Sequence, residues 1–193
     1  MAREERPSDG EYYERERVPL FSQGNVFRDV PLDYPVPPRE IVLDEDADKP
    51  GVRAFLSGPL EFGPALLITP TCSMRAQLDE GYAHPVRTLV PVVPVQKLLD
   101  VGVLRPDALG LARKYDSLIN YMYLPPLENP ELEFELPESL ALLYMPVTRH
   151  HDLIKESRVS QLALRGAQQL HRKLTWFFSG WLESRDFFEP PMD

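Results

Sequence analysis

Residues 64–70 read PALLITP, a continuous apolar run between two prolines. The run Ala65–Thr69 is too short for a helix, because helices of globular proteins usually have about ten or more residues. A short apolar run bounded by turn-forming residues is typical of a strand that is buried on both faces. The sequence therefore predicts a central, fully buried strand at Ala65–Thr69.

The segments on both sides of this run also favour strands. Apolar and β-branched residues predict them at Asn25–Leu32, Arg39–Leu43, Val52–Leu56, Val86–Val93, Tyr121–Leu124 and Ser139–Tyr144. The acidic run 44–48 and Pro50-Gly51 predict a hairpin loop. Pro91 has no N–H for a ladder hydrogen bond, so we expect its strand at a sheet edge or a bulge.

Helical patterns follow in the second half of the chain. Short helices are predicted at Pro94–Leu99 and Pro106–Tyr115, which form a helical insertion near 94–118. Towards the end, apolar residues recur at spacings of three or four, at Leu164, Ala167, Leu170, Leu174, Phe177, Phe178 and Trp181. This period predicts an amphipathic helix whose apolar stripe packs on the sheet.

Composition limits the fold class and the domain organisation. The chain has 193 residues, a length suited to one domain. Its 21 prolines against 10 glycines argue against a helical bundle and favour short strands joined by rigid turns. We therefore expect a mixed α+β fold with a β-barrel-like core. A single domain is predicted at 20–184, with a C-terminal tail at 185–193. The N-terminal arm at 1–19 is expected to be either disordered or an extended tail that docks only through Tyr12, Tyr13 and Val18.

The charge of the chain favours protein partners over nucleic acid. The formal net charge is −9, with a sequence pI of about 5.0. Proteins that bind the phosphate backbone of nucleic acids usually have a basic face. RNA binding is therefore possible for this acidic chain, but its composition does not favour it. Five cations could still line a basic strip, namely Arg75, Arg87, Arg105, Arg113 and Lys114.

The cysteine count and the apolar runs predict a cytoplasmic protein. Cys72 is the one cysteine, so neither an intramolecular disulfide nor a cysteine-rich zinc site can form. The charged N-terminal segment lacks the apolar stretch of a signal peptide. No run reaches the about 18 apolar residues of a membrane-spanning helix, so no membrane association is expected.

The sequence contains no motif of a known cofactor or metal site. A glycine-rich phosphate loop, a G-x-S-x-G elbow and an H-E-x-x-H pair are all missing, so we expect no cofactor and no metal. His150 and His151 are adjacent and should point in different directions, which favours a polar turn from a strand to a helix. The acidic stretch 128–135 is interpreted as a solvated loop.

Cys72 is the one candidate thiol nucleophile. It follows the buried strand in the stretch ITPTCSM, and a thiolate near a helix start can be activated. His84 is the nearest candidate base in the sequence. The alternative is a structural role, because free cysteines are among the most buried residue types.

The order of these elements resembles the MazF/PemK-like toxin family. Gln23–Leu32 (QGNVFRDVPL) is similar to that family's opening strand and Gly63–Thr69 (GPALLIT) to its central strand. Leu89–Val93 is similar to its next strand, and Ser157–Phe178 to its closing strand and helix. The resemblance implies a small SH3-like, mainly antiparallel β-barrel with a C-terminal helix, and it allows a homodimer.

The resemblance also implies which groups would cut RNA. In the ribonuclease members, an arginine before the Pro of the central strand and a hydroxyl at its end carry out the cleavage. Thr69 matches the hydroxyl, but Gly63 stands at the arginine position. Without that cation the transition state loses its main electrostatic stabilisation, so a divergent, non-catalytic member is favoured.

Three functions stay open on this basis. The favoured one is a non-enzymatic protein-binding module in a bacterial assembly or defence-type system. The second is a toxin-type endoribonuclease that uses Thr69 and an arginine recruited from elsewhere, Arg75 or Arg87. The third is a thiol-dependent enzyme that uses Cys72, with His84 as its candidate base.

Overall fold

The structure is a computed structural model that describes part of the chain. The described residues are 12–14, 21–33, 40–43, 54–57, 60–74, 85–114, 118 and 120–179. The hairpin loop predicted at 44–51 and the tail at 185–193 lie outside them, as do Arg75 and His84.

Short strands and short helices alternate along the described chain. The strands are β1 (Tyr13–Glu14), β2 (Asn25–Asp33), β3 (Glu40–Leu43), β4 (Ala54–Ser57), β5 (Leu60–Leu67), β6 (Val86–Pro94), β7 (Tyr121–Leu124), β8 (Leu127–Asn129), β9 (Phe134–Leu136), β10 (Ser139–Leu142), β11 (Val147–His150) and β12 (Arg158–Leu162). The helices are α1 (Thr71–Met74), α2 (Val95–Asp100), α3 (Leu109–Ala112), α4 (His151–Ile154) and α5 (Leu164–Ser179). Single 3-10 turns lie at Pro106–Ala108, Pro130–Leu132 and Lys155–Ser157.

The main sheet is antiparallel and curls into a half-barrel. Its strand order is β1-β12-β2-β5-β6-β10-β7, and β11 also pairs with β6. Two further pairs, β3 with β4 and β8 with β9, form separate hairpins. The mixed α+β class predicted from the sequence is therefore confirmed.

The apolar run at 65–69 contributes to the central strand, as predicted. β5 lies between β2 and β6, and Ala65, Leu66 and Leu67 are fully buried. Leu66 packs into the core beneath α5, whereas Ala65 and Leu67 pack into a second core around Phe27. Because both faces of β5 are covered at residues 65–67, this part of the strand has no polar alternation. It begins at Leu60 and ends at Leu67, so Thr69 follows the strand.

The predicted edge position of the strand that contains Pro91 is wrong. β6 is an interior strand that pairs with β5 along one side. Along the other side it pairs first with β11, at 86–89, and then with β10, at 92–94. Pro91 falls between these two partners. An interior strand tolerates the missing N–H there because no ladder partner faces it on that side.

Two tyrosines connect the two edges of the main sheet, β1 and β7. The Tyr12 hydroxyl lies 3.0 Å from the backbone oxygen of Tyr123, in β7, and 2.6 Å from Oε1 of Gln169, in α5. The Tyr13 hydroxyl donates to the backbone oxygen of Pro125 at 2.8 Å. Both tyrosines are buried, and β1 pairs with β12 at the opposite end of the sheet. We call Tyr12 and Tyr13 the tyrosine clasp.

The acidic stretch 128–135 forms a hairpin instead of the predicted loop. β8 and β9 pair in antiparallel register, with Leu127 opposite Leu136. Both leucines are buried, and the carboxylates at Glu128 and Glu135 are exposed. Each strand has only three residues, which is too short for a visible alternation of apolar and polar positions.

α5 packs one face onto the sheet, as its apolar period predicts. Leu170 and Leu174 are buried, and Ala167 and Phe177 are partly buried against the same core cluster. Leu66 of β5 belongs to that cluster. The helix therefore packs on the core cluster to which the central strand contributes.

Gly166→Ala is expected to destabilise the fold although alanine favours helices. A Cβ at Gly166 would lie 3.1 Å from the backbone oxygen of Tyr12 and 3.2 Å from the Leu162 side chain. Alanine gains about 1 kcal/mol of helix propensity, but overpacking costs about 1–3 kcal/mol. We expect a net loss of about 1 kcal/mol in the free energy of unfolding, measured by urea denaturation.

Gly110→Ala, in α3, is the matched control for this prediction. A Cβ at Gly110 would meet no atom within 4 Å. This variant should therefore gain stability, by about 0.5–1 kcal/mol. Equal gains from both substitutions would contradict the close approach of α5 to the tyrosine clasp.

Candidate functional site

Thr69, the candidate hydroxyl, is tied to the backbone of the neighbouring strand. Its Oγ1 accepts a hydrogen bond from the backbone N–H of Thr88 at 2.7 Å and lies 3.4 Å from the Thr88 carbonyl oxygen. The side chain is half-buried. These contacts fasten the end of β5 to β6, which is a structural role that needs only a short hydroxyl side chain.

Arg87, the second candidate that the structure describes, is fully buried in β6. It is 0% exposed, and its Nη1 donates to the backbone oxygen of Val86 at 3.0 Å. It precedes Thr88, so the structure places Arg87 and Thr69 at the same end of β6. In the described structure, the burial of Arg87 keeps its guanidinium from contact with a large substrate such as RNA.

Further basic side chains lie on the elements next to Arg87. Arg149, in β11, lies directly opposite Arg87 in the antiparallel register, and its Nε donates to the Pro31 carbonyl at 2.7 Å. His151, in α4, has its ring centroid 4.6 Å from that of Phe21, and the Arg158 guanidinium lies 5.5 Å from the same Phe21 ring. We call Arg87, Arg149, His151 and Arg158 the basic corner.

The two adjacent histidines do not face a common ligand. His150 accepts a hydrogen bond at Nδ1 from the backbone N–H of Asp152, whereas the ring of His151 packs on Phe21. They lie at the junction of β11 and α4, which confirms the predicted turn from a strand to a helix. Among the described residues, no group of three or more His, Cys, Asp or Glu side chains could hold a metal ion.

His151 should make stability fall in mild acid. Burial lowers its pKa, the charge of Arg87 lowers it further, and Asp152 opposes the shift. The unfolded chain, with a histidine pKa of about 6.5, then binds the proton more readily than the folded chain. The stabilising contribution is therefore present above about pH 6.5 and is lost as the pH falls below it.

We expect a smaller loss of stability below about pH 6.5 in His151→Gln than in the wild type. Urea denaturation at a series of pH values measures the two slopes. All other titratable groups are the same in the two proteins, so the difference between the slopes isolates His151. Parallel curves would contradict the burial of a neutral imidazole.

The predicted basic strip does not form one continuous exposed surface. Arg87 is buried, Arg105 makes an ion pair with Asp107, and Arg113 makes two hydrogen bonds to Glu138, at 2.5 and 2.7 Å. The carboxylate of Glu138 raises the pKa of Arg113. Cys72, the remaining candidate, lies in α1.

The solvent-facing side of α5 is a second feature, which sequence reasoning missed. Leu164 and Phe178 were predicted to pack on the sheet, but they are 73% and 69% exposed. They mark the two ends of a row that continues through Gln168, His171 and Thr175, at spacings of four, three, four and three. We call these five residues the α5 outer face.

A shallow groove that is open to solvent lies beside the α5 outer face. Its lining residues come from α5, namely Ala167, Gln168, His171, Arg172, Thr175 and Trp176. The lining of the groove therefore combines an indole, an imidazole, a guanidinium group and small or polar side chains.

The charge of α5 is opposite to that of the whole chain. Its 16 residues, LRGAQQLHRKLTWFFS, contain two arginines, one lysine and one histidine but no carboxylate. Arg165 and Arg172 are exposed, whereas Lys173 is buried and donates to the Leu118 carbonyl at 3.1 Å. The charged side chains of α5 are thus all basic, on a chain whose net charge is −9.

Comparison with the models of known protein families gave no match, and no curated protein matched the chain. Within the described residues, none of the helices has the length and apolar character needed to cross a membrane.

Proposed function

We propose that this chain is a non-enzymatic protein-binding module that contacts its partner through the α5 outer face. The observation that carries the proposal is the exposure of Leu164 and Phe178 at the two ends of one helical row. Fully burying a leucine or phenylalanine side chain contributes about 1.5–3 kcal/mol, so a partner that covers both would gain substantially. Apolar anchors spaced along one helix face are a recurring mode of protein recognition.

The remainder of the helix supports this role. The sheet-facing side of α5, with Leu170 and Leu174, is buried in the core and fixes the helix in place. A rigid helix loses little conformational freedom on binding, which favours affinity. The α5 outer face is therefore fixed in position before a partner binds.

We also propose that the scaffold is a divergent SH3-like barrel of the MazF/PemK-like kind, working in a bacterial assembly or defence-type system. The curled antiparallel sheet followed by a C-terminal helix supports this assignment. Gly63 pairs with Val30 in the β2–β5 ladder, and an added Cβ would lie 3.2 Å from Leu32. A large cationic side chain at Gly63 would need its neighbours to move, which supports a non-catalytic role.

Photo-crosslinking in the native cells tests the binding role. Gln168, on the α5 outer face, is replaced by a photoreactive phenylalanine, and the exposed Val103 is replaced likewise as the control. We expect a discrete adduct heavier than the chain itself from position 168 and none from position 103. Absence of an adduct at position 168 would overturn the proposal.

An endoribonuclease is the second candidate function. The observation in its favour is that Thr69 and Arg87 lie at the same end of β6, with His151 close enough for the charge of Arg87 to lower its pKa. A neutral histidine and a cation are groups that can serve acid–base and electrostatic catalysis. Incubation of the purified chain with total RNA tests it. Under the binding role the RNA stays intact, whereas cleavage that is lost in Thr69→Ala would favour the ribonuclease.

A further inference from the structure

We infer that copies of the chain exchange the segment 12–14, so that each copy binds this segment of the other. The segment comprises Tyr12 and β1, and it lies against β12, α5 and β7. We call the site that holds it the arm seat. The arm seat is a different surface from the α5 outer face.

The arm seat is built from residues that lie far from the segment in the sequence. The Tyr12 hydroxyl reaches the backbone oxygen of Tyr123 and the side chain of Gln169. The Tyr13 hydroxyl donates to the Pro125 carbonyl. These partners lie 111 to 157 residues further along the chain. The body of the chain therefore forms the arm seat, which can hold the same segment whichever copy supplies it.

The arm seat fits an extended segment with two consecutive tyrosines. β1 adds to β12 with Tyr13 opposite Leu162, and the backbone N–H of Ala163 donates to the Tyr12 carbonyl at 2.9 Å. Strand addition at a sheet edge is a recurring way of binding a peptide. Gly166 leaves room for the segment, because a Cβ there would lie 3.1 Å from the Tyr12 carbonyl oxygen. Phenylalanine lacks the hydroxyl contacts, so tyrosine is favoured at both positions.

The position of β1 lets it leave the sheet without separating any other pair of strands. It stands at one end of the strand order, and its ladder with β12 has two residue pairs. A short edge element opens locally at a lower free energy than the whole fold. Its release exposes the edge of β12, and an exposed strand edge is a template for pairing with another chain. The same segment of a second copy repeats every contact that the released one made.

The concentration of the chain decides between the closed monomer and the exchanged pair. Both states make the same contacts in the arm seat, so these contacts favour neither state. Six residues, 15–20, connect β1 to the next described residue. A short connection of this kind gives the tethered segment an effective concentration of about 1 mM. Exchange therefore increases as the concentration of the chain approaches this value.

Single cysteines at two ladder positions test the exchange in the full chain. One chain carries Glu14→Cys and the other carries Gln161→Cys, and both carry Cys72→Ser to remove the native thiol. Glu14 and Gln161 are opposite each other in the register of β1 and β12. The Cα atoms of such partners are about 4.5–5.5 Å apart, within the range of about 4.4–6.8 Å that a disulfide spans. Glu14 is exposed and Gln161 half-buried, so we expect both chains to fold.

Mild oxidation of the mixed chains is expected to produce a linked pair of twice the chain mass. Neither chain has both cysteines, so a disulfide between positions 14 and 161 joins two copies, and mass spectrometry of the linked peptides identifies it. Its yield should rise at least about tenfold as the chain concentration increases from about 10 µM to about 1 mM.

A mixture of Glu14→Cys with Val103→Cys, both with Cys72→Ser, measures linkage by random collision. Val103 is 50% exposed and lies outside the arm seat, so we expect at most about a tenth of the yield from this mixture. Equal yields from the two mixtures, or no linked pair at about 1 mM, would overturn the exchange. The photo-crosslinking at Gln168 tests the binding role separately, because its probe lies on the α5 outer face.

Discussion

Tyr12→Ala is expected to lower the free energy of unfolding by about 3–5 kcal/mol, the range found when a buried aromatic side chain is truncated. Tyr12 is 0% exposed and packs beneath α5. Its hydroxyl also reaches Tyr123 of β7 and Gln169 of α5. Truncation therefore removes a large apolar surface and the hydrogen bonds that connect the two ends of the half-barrel. Urea denaturation followed by circular dichroism measures the loss.

Two control substitutions show how much of the loss comes from the Tyr12 hydroxyl and how much is expected from truncating an exposed tyrosine. Tyr12→Phe keeps the ring and loses only the hydroxyl contacts, which should cost about 1–2 kcal/mol. Tyr144→Ala removes a tyrosine that is 41% exposed, and its effect should be well below that of Tyr12→Ala. A loss under about 1 kcal/mol in Tyr12→Ala would contradict the tyrosine clasp.

Arg87→Ala is expected to have the second largest effect, a loss of at least about 3 kcal/mol in the free energy of unfolding. Arg87 is fully buried and is one of the largest fully buried side chains among the described residues. Removing it leaves a cavity and deprives the Val86 carbonyl of its donor. Thermal unfolding and urea denaturation both measure the loss.

The same variant discriminates between the two proposed functions of the chain. If Arg87 were a catalytic cation at an open site, Arg87→Ala would fold normally and lose only activity. Arg105→Ala serves as the control, because Arg105 is largely exposed and should change stability by less than about 0.5 kcal/mol. A stable, folded Arg87→Ala chain would therefore contradict the structural role given to Arg87 here.

The elements that were predicted correctly are those whose residue pattern is visible within a short stretch of the sequence. The apolar run around Leu66 identified the central strand, and the helical period identified α5. β11 was not predicted from the sequence. Its residues, VTRH, have little apolar character, and the strand forms by pairing with β6. β1 has only two residues, and its pairing with β12 depends on contacts between distant parts of the chain.

The candidate site was predictable only in part. Thr69 and Arg87 were named from the sequence, and the structure places them at the same end of β6. Their hydrogen bonds to backbone groups and the burial of Arg87 could not be read from residue types. Arg149 and His151 come near Arg87 only through the pairing of β11 with β6 and the turn into the following helix.

The α5 outer face was missed for a geometrical reason. Spacings of three and four place residues near one another on a helix but do not define which arc is buried. At 100° per residue, Leu164 lies about 120° around the helix from the buried Leu170. Leu164 and Phe178 therefore continue the apolar period and yet face solvent. A helical projection centred between Leu170 and Leu174 places Leu164 about 100° from the centre of the buried arc but Phe178 only about 60° from it, so the projection separates Leu164 and not Phe178.

The yield of the crosslinked adduct at Gln168 in two leucine variants tests the binding role most directly. Leu164→Asp places a charge on the α5 outer face, and Leu153→Asp places one at a leucine of α4 that is 64% exposed, against 73% for Leu164. The binding role predicts that Leu164→Asp abolishes the adduct while Leu153→Asp leaves its yield unchanged. An adduct that survives Leu164→Asp at full yield would contradict the assignment of the α5 outer face as the binding surface.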